Sequence, residues 1–191
     1  MNHFFKNFPV VDYDIKKNGK TITVPNITVG VQIHELMRRK KAVFYNYNVS
    51  EGERADAIAF KYYDDASLDW VIFLTNQIID PQFEWPLSNK AFINYVTKKY
   101  GSITAATSTI HHYEQILQGL TVTFDNIIIP ERYVEVDLAT YTTVFDQDGT
   151  TARIIYDYDY ELRLNNARSE IKLLEDRYVI SLVNQVQEIF R

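Results

Sequence analysis

The chain has no cysteine, only six glycines among its 191 residues, and no long apolar run. Without cysteine it cannot form a disulfide, a thiolate nucleophile or a Cys-ligated metal site, which fits assembly in a reducing cytoplasm. The few glycines form neither a phosphate-binding loop nor a nucleotide-binding fingerprint. No stretch reaches the roughly 18 apolar residues that span a bilayer, and the first residues lack the pattern of a secretory signal. We therefore expect neither export by a signal peptide nor a membrane partner.

Positive charge is also scarce, with 20 Lys and Arg against 25 Asp and Glu and a net charge of −5. A nucleic-acid-binding surface needs clustered surplus cations, so the composition predicts no nucleic-acid partner. The one basic run, residues 38–41, is expected to be a solvated turn or helix end.

The sequence shows no recognisable set of catalytic or metal-binding residues. Its four histidines have no metal-ligand spacing, and the adjacent pair His111 and His112 is expected to point to opposite faces of a strand. The acidic pairs at 64–65 and 157/159 lie where solvated helix ends or strand faces are expected. We therefore predict no catalytic residue, no cofactor, no metal and no small-molecule substrate, and we predict that the protein is not an enzyme.

Aromatic residues are abundant, with 14 Tyr and 11 Phe. Such rings pack in cores and are enriched at protein interfaces, so either use is open for any single ring. Residues 1–42 carry rings without helical spacing and β-branched stretches at 21–24 and 27–31, which predicts an extended arm with short strands. An arm without a core of its own usually packs on something. The arm residues assigned to a partner interface are Phe4, Phe5 and Phe8.

Residues 43–101 are predicted to form a helical core. The expected elements are a strand at 43–49 and helices at about 50–63, 66–76 and 88–101. Ser50 and Glu53 match a capping box for the first helix, and Ser88 is suited to cap the third. The second helix has a wide apolar stripe and should be almost fully buried. The structural core residues predicted in this segment are Ile58, Ala59, Trp70, Phe73 and Trp85.

Residues 102–157 differ in character, because Thr, Val, Ile and Tyr dominate and helix formers are sparse. This composition predicts a small antiparallel β region. The strands are expected at 113–117, 121–124, 133–136 and 142–145.

Residues 158–191 are predicted to form a helix at 158–168, a strand at 170–174 and an amphipathic helix after Asp176. The alternation of residues 156–160 leaves a strand open as the alternative for the first of these. The apolar stripe of the last helix must be covered by the body of the chain or by another protein, and we favour a partner, so that removing 176–191 should block assembly without unfolding the rest. The interface residues predicted here are Tyr158, Val179, Leu182, Val186 and Phe190.

Two stretches of the sequence resemble known proteins. From Tyr47 to Asp80-Pro81 the order of strand, Glu51-Gly52-Glu53 turn, helix with Ala57-Ile58-Ala59 and second helix ending at Asn76 is similar to a LysM module. The longer pattern resembles the baseplate wedge protein of contractile-tailed phages that carries a LysM-like domain. Its further marks are Trp70, Trp85-Pro86-Leu87-Ser88, Lys99-Tyr100-Gly101, Tyr160-Glu161, Arg168 and Ile171-Lys172-Leu173-Leu174.

This resemblance covers residues 43–101 and 158–190. It implies an α+β fold: a LysM-like strand/helix/helix core with an added helix, then a small antiparallel β region and a C-terminal amphipathic helix. It also implies a structural subunit of the tail baseplate wedge in the virion, assembled in the host cytoplasm. Such a subunit would join neighbouring copies of the wedge and contact other wedge proteins, including the wedge core, and the sheath-initiator protein.

The alternative function is a glycan-binding, peptidoglycan-directed LysM module. LysM modules close with a second strand soon after the asparagine, whereas residues 82–87 lead straight into the third predicted helix. The glycan groove is therefore expected to be incomplete.

Overall fold

The computed structural model describes residues 8–26, 28–29 and 43–189. Over these residues the chain is α+β, as predicted, with eight α-helices and small antiparallel sheets. It divides into a first unit, residues 1–86 and 168–191, and a second unit, residues 87–167. These units cut across the four predicted segments, because the third predicted helix groups with the β region and the C-terminal strand and helix group with the N-terminal half. The predicted strand at 27–31 and the basic run at 38–41 lie largely or wholly outside the described residues.

The elements follow one another in short succession. In chain order they are β1 (Val10–Tyr13), β2 (Ile22–Pro25), β3 (Phe44–Asn48), α1 (Ala55–Tyr63), a 3-10 turn (Ala66–Leu68), α2 (Asp69–Asn76), α3 (Pro81–Glu84), α4 (Asn89–Tyr100), α5 (Ile103–Ser108), β4 (Ile110–Gln118), β5 (Thr121–Val122), β6 (Ile128–Ile129), β7 (Arg132–Val136), α6 (Leu138–Gln147), β8 (Ala152–Tyr156), α7 (Asp157–Ser169), β9 (Glu170–Leu174) and α8 (Asp176–Ile189).

The predicted capping box closes a turn ahead of the helix instead of capping it. The Ser50 N–H donates to Glu53 Oε2 at 3.0 Å, and the Glu53 N–H donates to the Ser50 carbonyl at 3.0 Å. Arg54 then takes the extended N-cap position, so α1 begins later than predicted. Asp64 ends the helix in the left-handed region, at φ 58°, a conformation that Asp tolerates better than most residues.

The first unit is built on a two-stranded sheet in which β3 and β9 run antiparallel, with Tyr47 opposite Ile171. Helices α1, α2 and α8 pack with this sheet around one core. The Asn76 side chain, at the end of α2, forms two hydrogen bonds with the backbone of β9. Its Oδ1 accepts from the Lys172 N–H and its Nδ2 donates to the Lys172 carbonyl, both at 2.8 Å. It also donates to the Ile72 carbonyl, as expected of a residue that ends its own helix. The strand that completes this unit thus comes late in the chain.

The second unit contains a three-stranded antiparallel sheet in the order β7, β4, β8. Helices α4 and α5 enclose a small core of Phe92, Val96 and Ala106, against which Tyr158 and Leu162 of α7 pack. The Ser88 hydroxyl accepts from the Ala91 N–H and so caps α4 as predicted. The helix predicted at 158–168 is confirmed as α7 over the strand alternative at 156–160, and the strand predicted at 170–174 is confirmed as β9.

In the β region one predicted strand is wrong and one helix was not predicted. Residues 142–145 are not a strand but part of α6, which begins where the Asp137 carboxylate accepts from the Thr140 N–H at 2.9 Å. The Thr142 and Thr143 hydroxyls donate to carbonyls one turn earlier, which accommodates two β-branched residues within a helix. Helix α5 was not predicted, although Ser102 caps it through the Ala105 N–H.

Candidate partner interface

The predicted core residues lie in the first unit. Ile58 and Ala59 are fully buried, and Trp70 is 8% exposed. Phe73 and Trp85 pack edge to face at the border of this core, with ring centroids 5.7 Å apart. The Trp85 indole N–H donates to the Glu53 carbonyl at 2.9 Å, which satisfies its one polar group. Each of these side chains therefore contributes to packing within the chain.

The apolar stripe of α8 covers the chain's own core. Val179 and Val186 are buried with the residues of β3, β9, α1 and α2, and Leu182 packs against the same cluster. From the sequence alone we expected a partner protein to cover this stripe. The structure corrects that assignment, because β9 brings α8 back to α1 and provides the apolar surface that the stripe needs.

The other predicted interface residues are also placed within the chain or outside the described part. Phe8 is buried. Tyr158 packs on Phe92, with ring centroids 5.6 Å apart, and borders the core of the second unit. Phe4, Phe5 and Phe190 lie outside the described residues.

An apolar surface that is exposed in the described structure lies on the hairpin of β1 and β2. Tyr13 is paired with Ile22 and Val11 with Val24, so these four side chains share one face. Tyr13, Ile22 and Val11 are all exposed. A two-stranded hairpin alone is marginally stable in water. This face is therefore the candidate partner interface of the first unit.

The second unit contains a buried ion cluster that was not predicted from the sequence. Glu114 of β4 is completely buried. Its Oε2 accepts from Arg153 Nε at 2.7 Å, and its Oε1 accepts from Arg163 Nη1 at 2.6 Å. Arg153 also forms two hydrogen bonds to Glu131, at 2.6 and 3.1 Å, and both arginines lie over the Tyr133 ring. These contacts tie β4 to β8 and α7.

The electrostatics of this cluster are those of a stable ion pair. Burial by itself would raise the pKa of Glu114, but hydrogen bonds from Arg163, Arg153 and His112 outweigh it and hold the pKa below its ordinary value. The carboxylate is thus ionised and its oxygens are occupied by donors. It is suited to hold elements together and not to transfer protons.

A second buried carboxylate has the same character. Glu161 of α7 accepts from Lys99 Nζ at 2.5 Å, from the Tyr100 hydroxyl at 2.9 Å and from the Tyr95 hydroxyl at 3.2 Å. Burial would raise its pKa, but the hydrogen bonds from Lys99 and Tyr100 and the charge of Lys99 lower it. This cluster fastens α7 to α4.

The side chains of His111 and His112 do not point to opposite faces of the strand, as was predicted, but contact each other. The register of β4 against β8 shifts between Ile110 and His112, and this bulge brings the two adjacent rings together. His111 Nδ1 and His112 Nδ1 are 2.7 Å apart, His111 stacks on Tyr160, and His112 Nε2 contacts Glu114 Oε1 at 3.1 Å. Regular alternation was the wrong assumption for a bulged strand.

Across residues 8–26, 28–29 and 43–189, no group of three or more His, Cys, Asp or Glu side chains is arranged to hold a metal ion. Among the helices in those ranges, none is long and apolar enough to cross a membrane. The described residues form two α+β units. Hydrogen-bond donors occupy the buried carboxylates of Glu114 and Glu161, and the hairpin of β1 and β2 has an exposed apolar face. These are features of a structural subunit in an assembly.

The chain belongs to the family of base plate wedge protein 53, whose family model matches residues 2–187. It is therefore a structural protein of the phage tail baseplate, and its family places it among other baseplate proteins in the virion. A comparison with curated proteins finds no match.

Proposed function

We propose that this chain joins neighbouring wedges of the baseplate and contacts the wedge-core and sheath-initiator proteins. The observation that carries the proposal is the exposed apolar face of the hairpin of β1 and β2, formed by Val11, Tyr13 and Ile22. Apolar side chains that a two-stranded hairpin leaves in water gain free energy when another protein covers them. A subunit that exposes such a face, and whose buried carboxylates already have hydrogen-bond donors within the chain, is suited to contact partners through that face.

The test uses the full chain produced together with the other wedge proteins. Val11→Asp combined with Tyr13→Asp places two charges on the apolar face, and we expect the fraction of wedges joined into rings, counted by electron microscopy, to fall to background. Asn18→Asp combined with Thr21→Asp is the control, because it adds the same charge at exposed positions of the same hairpin. Cross-linking with mass spectrometry identifies which partners the hairpin touches.

Ring formation by the Val11/Tyr13 variant at the parent level would contradict the proposal, provided that circular dichroism shows both variants folded. Rings that form without cross-links to the wedge-core or sheath-initiator proteins would remove those two partners from it.

The second candidate function is glycan binding by a LysM-like module. It is supported by the order of β3, α1 and α2 along the chain and by the antiparallel pairing of β3 with β9. Together these elements have a strand-helix-helix-strand order, although the residues of the second unit lie between α2 and β9 in the sequence. Glu170–Leu174, which pairs with β3, has the position in this order that a closing strand would have in a LysM module, and this supports the candidate. Calorimetric titration with N-acetylglucosamine oligomers distinguishes the candidates. We expect no saturable binding at micromolar concentration, and saturable binding would favour the glycan-binding module.

A further inference from the structure

The second unit carries an apolar projection on the hairpin of β5 and β6. Val122 is paired with Ile128, so these two side chains share one face, and Leu120 lies two residues before Val122. Each of them is at least 56% exposed. Phe124, at the tip, is fully exposed, and Ile127 is exposed as well. The patch is on the order of several hundred Å², about the largest that a monomeric protein normally leaves in water.

The tip of this hairpin is held in one shape. The Thr123 N–H donates to the Ile127 carbonyl at 2.9 Å, and the Asn126 N–H donates to the Thr123 carbonyl at 3.0 Å. Asn126 takes the left-handed conformation, at φ 58°, and the Ile127 N–H also donates to the Thr123 hydroxyl. This is a three-residue hairpin loop with a bulge, in which Asn is well tolerated. Phe124 is therefore presented by an ordered turn, so binding need not first order the loop.

The charge of the hairpin restricts what can cover it. Residues 101–131 contain no Lys and no Arg, and the only charged residue between Gln115 and Pro130 is Asp125, next to Phe124. Nearby in sequence, Glu135 and Asp137 are exposed against one cation, Arg132. Nucleic acids and anionic lipid surfaces require clustered cations, and residues 101–137 contain only one, Arg132. Two copies that met through the same patch would bring their Asp125 carboxylates together, which is unfavourable.

We propose that the hairpin of residues 119–129 inserts, with Phe124 leading, into an apolar groove of another baseplate protein whose rim carries Lys or Arg facing Asp125. Phe124 is the anchor side chain, and Leu120, Val122 and Ile128 form the surrounding apolar contact. Asp125 supplies specificity, because a basic rim attracts it and an acidic one repels it. The proposal rests on the function proposed above only in that the partner belongs to the baseplate.

The test places a photo-reactive phenylalanine analogue at position 124 of the full chain during baseplate assembly, with the analogue at the exposed Phe83 of the first unit as the matched control. We expect position 124 to cross-link to one peptide of another baseplate protein, flanked by Lys or Arg. Asp125→Lys should reduce that product about tenfold or more, and Asp125→Glu should retain it. Phe124→Asp should lower incorporation into baseplates to a similar extent, while the melting temperature of the free chain stays unchanged because Phe124 makes no internal packing contact of note.

Three outcomes would overturn the proposal. They are cross-linking of position 124 to a second copy of this chain, cross-linking of position 124 to lipid when phosphatidylglycerol vesicles are added to the assembly mixture, and no cross-link from position 124 in assembled baseplates. Mass spectrometry of the same particles shows whether a negative result contradicts the hairpin proposal or the proposed function. Particles that contain the chain in fixed amount but give no product from position 124 contradict only the hairpin, whereas particles that lack the chain contradict its structural role.

Discussion

At the scale of single residues, Glu114 joins three elements of the second unit through Arg153 on β8 and Arg163 on α7. Glu114→Gln keeps the shape of the side chain but removes the charged acceptor of Arg163 and leaves Arg153 with Glu131 as its charged acceptor. Breaking a buried ion pair from one side destabilises by about 3–5 kcal/mol, and partial exposure of the arginines reduces this to about 2–3 kcal/mol. Urea unfolding followed by circular dichroism measures the difference.

Glu131→Gln is the control for that substitution, because Glu131 pairs with the same Arg153 but is partly exposed. Its cost should stay below about 1 kcal/mol. If the two variants unfold at the same urea concentration, Glu114 does not have the role given to it here.

The two buried carboxylates also predict how stability depends on pH. The pKa values of Glu114 and Glu161 are lowered in the folded protein, so their contribution is fully present above the ordinary pKa of glutamate and is lost as pH falls through the lowered values. We expect the melting temperature to change little from pH 8 to about pH 5 and to fall below about pH 4.5. A Glu114→Gln, Glu161→Gln double variant should lose less on acidification. An acid slope equal to that of the parent would show that other groups govern it.

Trp70 tests the orientation of α2. It is buried in the core of the first unit, so Trp70→Ala should create a cavity and reduce the free energy of unfolding by about 3–5 kcal/mol. Phe60→Ala removes an aromatic ring that is 61% exposed on α1, and it should change stability by about 0.5 kcal/mol or less. Thermal melting of the two variants beside the parent gives the answer. A Trp70→Ala protein that melts within a few degrees of the parent would mean that the helix faces the other way.

At the scale of elements, α8 offers two adjacent positions that separate a core role from a partner role. Val179 is 3% exposed and Ile180 is 71% exposed. Val179→Asp buries an unpaired carboxylate and should reduce the free energy of unfolding by roughly 3–5 kcal/mol, whereas Ile180→Asp should leave it within about 0.5 kcal/mol. Thermal melting followed by circular dichroism distinguishes them. A Val179→Asp protein that stays as stable as the parent but no longer assembles would restore the partner assignment.

Elements with strong local signals could be predicted from the sequence. Ser88 and Gly101 bound α4 because a serine oxygen and a positive φ act within one turn of the chain. The strand at 170–174 and the helix after Asp176 follow from periodicity alone. Local signals failed at residues 142–145, where strand and helix compete. The β-branched residues there favour a strand, but the Asp137 cap and the hydroxyl hydrogen bonds to the preceding turn stabilise a helix.

At the scale of the whole molecule, the sequence could not predict the contacts that link distant residues. The periodicity of α8 shows that its stripe must be covered, but the covering surface comes from residues 43–74 and 171–174. Glu114 and Arg163 are 49 positions apart, and nothing in their immediate neighbours indicates the pair. The exposed hairpin faces were not predicted, because apolar residues alternate along a strand in the same way whether they are buried or exposed to solvent.

The central claim is that this chain is a structural subunit of the baseplate wedge. Quantitative mass spectrometry of purified virions and of isolated baseplates tests it most directly, with the peptides of this chain measured against those of the other wedge proteins. We expect the chain in both samples, at one fixed ratio to those proteins from preparation to preparation. Its absence from purified baseplates, or a ratio that varies between preparations, would show that it is not a structural subunit.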